Sequence, residues 1–186
     1  MLGTTFGEAL KKIAPDMKLK MAVLSADVLG EGLLQRVQGE LDGIMKSYPD
    51  AEVIARSDAF DEAKALETVE TMLQANPDIN VIVTCNDPGA YGAISAVESA
   101  GKILNKDIYI CTGGDQFKTL DLVEQGKILV SAEAGPEKTG VSLVENAIKL
   151  IKGEEVPKDV YVDLVPITKD NVKQIRDFKL SFGPMQ

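Results

Sequence analysis

At 186 residues and 45% hydrophobic content, the chain can bury the core of one domain or slightly more, and it is too apolar for disorder. A net charge of −9, with lysine and arginine dispersed among acids, argues against non-specific nucleic-acid binding. Histidine is absent, which removes Ser-His-Asp and Cys-His catalysis and the commonest transition-metal ligand. No apolar run approaches the length of a membrane span, and "MLGTTFGEALKK" carries no secretory apolar region.

The elements alternate. A helical stretch, "TFGEALKKIA", precedes the strand pattern "KLKMAVLSA". Residues 31–47 place Leu34, Val37, Leu41 and Ile44 at helical spacing, and the strand "AEVIARS" follows. The next helix has Phe60, Ala63, Leu66, Val69 and Leu73 on one stripe and stops at Asn76-Pro77. Then come the strand "INVIVTC", a helix over 90–100 capped by Gly101, and the strand "DIYICTG". A short helix, "QFKTLDLVEQ", leads through Gly126 to the strand "KILVSAEA". A helix over 137–152, the strand "VYVDLVPI" and a helical tail from Lys169 close the chain. Near-continuous apolar strands alternating with helices predict an α/β fold, a doubly wound parallel sheet of flavodoxin-like type. Cys85 and Cys111 both fall in strand patterns and read as buried thiols.

Ligands of such sheets bind beyond the carboxyl ends of the strands, so the residues just after each apolar run are the candidates. They are "SADVLGEGLLQR", Ser57-Asp58-Ala59-Phe60, Asn86-Asp87, Gly113-Gly114-Asp115-Gln116-Phe117 and Glu133-Ala134-Gly135. Acids and amides for bidentate hydrogen bonds, an arginine fork and aromatic faces together suit a hydroxyl-rich ligand. Each residue also has a structural reading. Asp87 suits a helix cap, leaving Asn86 as the ligand contact; Asp115 could serve either way. Arg36 could be a surface ion-pair partner and Phe60 plain core. A dinucleotide site is the enzyme-class rival, since "GEG" at 30–32 lies between strand and helix. However, Gln35 stands where the third glycine of that motif belongs. No Walker motif, Cys-x-x-Cys pair or metal-ligand spacing occurs, so no cofactor or metal is implied.

Four stretches resemble one family, the type I periplasmic sugar-binding proteins of the ribose/galactose kind. They are "RVQGELDGIMKSYPDAEV", "DAFDEAKALETVETMLQANPDINVIVTCNDPGAYGAISAVESAGK", "ICTGGDQFKTLDLVEQGKI" and "GEEVPKDVYVDLVPITKDNV", which together cover nearly the whole chain. The resemblance implies two α/β lobes joined by three crossing strands, with the ligand clamped between them. This chain resembles the second lobe and the return segment, so Met1 is expected to mark a truncation or an internal start. The implied organisation is a ligand-binding lobe over 1–133, a crossover helix over 134–155 and a return strand with C-terminal helix over 156–186. The crossover helix would pack on the first lobe through Val141, Val144, Ile148 and Ile151. Without that lobe, the helix is expected to repack, swap or form a homodimer.

Carried over by motif, the implied ligand contacts are Arg36 in the Arg-x-x-Gly segment, Phe60 as stacking aromatic, Asn86 in the Asn-Asp pair and Asp115 in the acidic turn. "CTGGDQF" is one residue short in its spacing to Gly126, which sets Gly114 against Asp115 for that last position. At the crossing strand, Ala134 stands at the family's glutamine position with Glu133 beside it as a further candidate. The implied function is non-catalytic binding of a sugar or sugar-like solute for an ABC importer, with a membrane permease as partner and an extracytoplasmic location. The effector-binding core of a LacI-type regulator is the alternative, and a dinucleotide-dependent oxidoreductase a remote one.

Overall fold

A computed structural model describes residues 1–133 and 135–183. In chain order the elements are α1 (Leu2–Ile13), β1 (Lys20–Ser25), α2 (Glu31–Ser47), β2 (Glu52–Asp58), α3 (Glu62–Ala75), β3 (Val81–Thr84) and α4 (Asp87–Ser99). They continue as β4 (Tyr109–Thr112), α5 (Phe117–Glu124), β5 (Ser131–Glu133), α6 (Pro136–Ile151), β6 (Val165–Ile167) and α7 (Val172–Leu180). The main sheet is parallel, in the order β2-β1-β3-β4. A parallel bridge from Cys111 to Val130 extends it past β4, and the chain order reverses beside β1. The doubly wound α/β reading therefore holds, with the β1/β3 edge as its switch point.

Alternation of side chains along each strand divides the core in two. Met21, Val23, Val81, Val83 and Cys111 face α1 and α2, where Phe6, Leu10, Val37, Leu41 and Ile44 meet them. Ala22, Leu24, Ile82 and Ile110 face α3, α4, α5 and α7. Both cysteines are buried free thiols. Helices α1 and α2 cross at backbone contact: a methyl group at Gly43 would stand 2.5 Å from the Thr4 nitrogen, and one at Gly3 would overlap the Glu40 carbonyl. Only glycine permits that approach.

Three elements differ from the sequence reading. The strand expected over 127–134 is confined to β5, which leaves the main sheet to pair antiparallel with β6. That partner is three residues long, because residues 160–164 form no strand. Phe60 does not lead the buried stripe of α3. That helix starts after it, with the Asp61 carboxylate accepting from the Lys64 amide, and buries Ala65, Val69, Met72 and Leu73. The expected crossing residue, Ala134, lies outside the described residues. No residue of α6 is buried, and Val141, Val144, Ile148 and Ile151 are all exposed.

Candidate functional site

The carboxyl edge of the sheet is built from stitched corners. After β1, Ser25 Oγ donates to Asp58 Oδ1 at 2.8 Å. Asp58 also accepts the amides of Asp27 and Val28, at 3.1 and 3.3 Å. These bonds, led by that of Ser25, hold the Asp58 carboxyl below the usual carboxylate range. Arg56 Nη2 reaches both oxygens of Asp27, at 2.9 and 3.0 Å. The first loop is thereby tied to the end of β2.

The Asn86-Asp87 pair sits after β3, and the structure gives the cap to Asn86 rather than to Asp87. Asn86 caps α4: its Oδ1 accepts from the Gly89 amide at 2.9 Å, while its Nδ2 donates to the Phe60 carbonyl at 2.8 Å. Asp87 is instead buried, bonded to the Thr119 hydroxyl and to the Gln116 amide at 3.3 Å. Burial pushes its pKa up against those two bonds. A side chain at Gly114 would collide with the Asp87 carboxylate, so the Gly113-Gly114 turn is what lets this acid into the interior. Below it, Thr84 Oγ1 donates to Thr112 Oγ1 at 2.7 Å, joining the ends of β3 and β4.

Arg36 and Phe60 meet the same corner. Arg36 Nη1 donates to the Cys85 carbonyl at 3.1 Å, one residue before Asn86. Phe60 is 46% exposed, so it is an aromatic presented at the edge rather than core. Arg36, Phe60 and Asn86 are thus neighbours across three different connections. Beside them opens a hollow of about 230 Å³, bordered by Arg36, Glu40, Gly113, Gly114, Ala132 and Leu164 among others. Of the five candidate residues, Arg36 alone lines it.

Asp115 and Glu133 lie on the far side of the two glycines and are both buried. Asp115 does not cap α5; the position before that helix is Gln116, without a capping side chain. Its Oδ2 accepts from Lys179 Nζ of α7 at 3.0 Å, and the same ammonium bonds Glu137 Oε1 at 2.9 Å. Glu133 Oε2 pairs with Lys138 Nζ at 3.2 Å. Ser131 Oγ donates to the Gly114 carbonyl, holding this acidic group beside the glycine turn.

The edge can therefore offer the Arg36 guanidinium and the exposed Phe60 ring, beside the Asn86 amide, to a polar ligand. Among the described residues no group of three acids or thiols is placed to hold a metal, and no helix is long and apolar enough to cross a membrane. Sequence reasoning missed Glu40 and Lys179. Glu40 could have been found, because it falls on the Val37, Leu41, Ile44 stripe of α2, where an acid is out of place. Lys179 could have been found in the same way, because it falls on the Val172, Ile175 stripe of α7 and stands between Phe178 and Leu180.

Known proteins share this architecture. The Ribose import binding protein RbsB of Escherichia coli is 31% identical over 140 residues, covering 75% of this chain and 44% of that protein. The Xylitol-binding protein of Mycolicibacterium smegmatis is 26% identical over 167 residues, covering 83% of this chain and 44% of its own length. A periplasmic solute binding protein of an ABC transporter from Actinobacillus succinogenes, solved with bound D-allose, superposes with a TM-score of 0.79 at 31% identity. That superposition covers 92% of this chain and 60% of the other. The chain thus spans less than half the length of both sequence relatives. The periplasmic binding protein domain matches residues 1–155, and with the doubly wound sheet and its furnished carboxyl edge this places the chain in that family.

Proposed function

We propose that the chain is one half of a non-catalytic clamp for a sugar or sugar-like solute, the C-terminal lobe of the binding component of an ABC importer. The observation that carries this is the convergence of Arg36, Phe60 and Asn86 on the end of β3. A guanidinium with free donors and an exposed ring beside an amide suit hydroxyls and the apolar face of a sugar. In the whole protein the partner is a membrane permease and the location extracytoplasmic, in keeping with the relatives named above.

A lobe alone makes part of the polar clamp and leaves its ligand wet, so its affinity is weak. Titration of the chain with D-ribose, D-allose and xylitol, followed by backbone amide NMR, tests the reading. Millimolar-range shifts centred on Arg36, Phe60 and Asn86, abolished in Arg36→Ala, are expected. Shifts spread over other faces, or none with any of the three, would end it.

We further propose that α6 mediates self-association through Val141, Val144, Ile148 and Ile151. An exposed apolar stripe of this length invites burial. Sedimentation equilibrium of the chain should show a dimer that Val144→Glu dissociates; a monomer at all concentrations would reject it.

A further inference from the structure

The hollow beside Arg36 contains an uncompensated acid. Glu40 is 3% exposed, and neither carboxylate oxygen has a hydrogen-bond partner among the described residues. Buried polar groups are nearly always satisfied, and an unpartnered carboxylate is among the costliest exceptions. The side chain borders the cavity and is close-packed on Gly113, where a methyl group would stand 3.3 Å from Glu40 Oε1.

On α2 the one neighbouring cation is Arg36, which is directed to the Cys85 carbonyl. The ends of β3 and β4 contribute the thiols of Cys85 and Cys111, both pushed up by burial first and by Glu40 second. Met1, which carries the chain's α-ammonium, and Leu2 and Gly3 of α1 border the hollow on one side, and Ala132 and Leu164, from the β5 and β6 side, on another. Those last two bring no charge.

We infer that this hollow is the seat of a protonated amine carried by the solute, with the Glu40 carboxylate as its counter-charge. A sugar hydroxyl would bring one donor and no charge, whereas an ammonium brings three donors and the positive charge a buried carboxylate lacks. Leu2, Ala132 and Leu164 suit the C–H groups next to such a nitrogen. Burial raises the Glu40 carboxyl to about 8, so near neutral pH the empty seat holds a proton that an arriving ammonium displaces. The inference deepens the solute-binding reading of the same edge and rests on it for the rest of the ligand.

Carbon-detected NMR of the Glu40 carboxyl in the full chain tests it, with Glu40→Gln identifying the resonance. Methylammonium, D-glucosamine and D-glucose are the probes. Methylammonium and D-glucosamine should each lower the Glu40 titration midpoint by about one pH unit or more, while D-glucose leaves it in place. Glu40→Gln should weaken D-glucosamine about tenfold and leave D-glucose unchanged. Sugars that perturb Arg36 and Asn86 while Glu40 stays silent to both amines would overturn the amine seat and keep the solute reading. A Glu40 response to methylammonium, with no response anywhere to either sugar, would keep the seat and sink the sugar scaffold. Silence towards all three probes overturns both.

Discussion

Lys179 and Asp115, 64 residues apart in sequence, meet at 3.0 Å beneath the carboxyl edge of the sheet. The same ammonium bonds Glu137, so a single side chain from α7 joins the turn after β4 to the first turn of α6. Burial alone would lower the lysine pKa, but the bonds from Glu137 and Asp115 outweigh it and raise the value.

Replacing Lys179 with Met leaves the buried Asp115 carboxylate and the partly buried Glu137 carboxylate without their shared cation. Breaking a buried ion pair from one side costs about 3 kcal/mol, and urea unfolding near neutral pH should show a loss of that order. Glu137 is held below its usual pKa despite its burial, chiefly by Lys179, so its contribution is present above about pH 4.5 and fades as pH falls through the depressed value. The raised Lys179 value adds no change until strongly alkaline pH. The gap between wild type and Lys179→Met should therefore shrink on acidification. A gap independent of pH would contradict the triad.

Glu40 has the opposite sign. Its folded pKa lies above the unfolded value, so its ionisation opposes folding increasingly as pH rises between about 4.5 and about 8. Thermal or urea stability of the wild type should fall by roughly 2.5 kcal/mol from about pH 5 to about pH 7 on this account, and Glu40→Gln should flatten the profile. Parallel profiles for the two proteins would refute the buried, unpaired placement.

Gly43 and Gly39 share α2 but not surroundings. A methyl group at Gly43 meets the backbone of α1, whereas one at Gly39 meets nothing within 4 Å. Gly43→Ala should cost about 2 kcal/mol or more through overpacking, and Gly39→Ala should stabilise by about 0.5–1 kcal/mol through helix propensity. Equal effects in denaturant unfolding would deny the close crossing of α1 and α2.

Asn86 separates two jobs cleanly. Asn86→Asp keeps the acceptor for the Gly89 amide and removes the donor to the Phe60 carbonyl, while Asn86→Ala removes both. Alanine should cost about 1 kcal/mol as a lost cap, and aspartate markedly less. Hydrogen exchange around residues 59–61 should quicken in both variants. An Asp substitution as damaging as Ala would show that the tether, rather than the cap, dominates.

The order of helices and strands, and the edge of the sheet where a ligand would sit, were legible from the chain alone. Each is written in local periodicity: the apolar run of 81–84, or the stripe Val37, Leu41, Ile44, reports its own element whatever lies around it. What tertiary structure decided were pairings between distant segments. Asn86 and Asp87 both suit a cap by sequence, and the choice was made by Thr119 and Gln116, which take the Asp87 carboxylate inside. The strand signal of 127–134 was divided because Val130 still bridges β4 while Ser131–Glu133 turn to β6. Glu40 is out of place on its apolar stripe by sequence, but its burial without a partner follows only from the packing of α1 against it at Gly3. Local pattern sets conformation, but burial, charge pairing and the fate of a single carboxylate depend on which element the chain brings back against it.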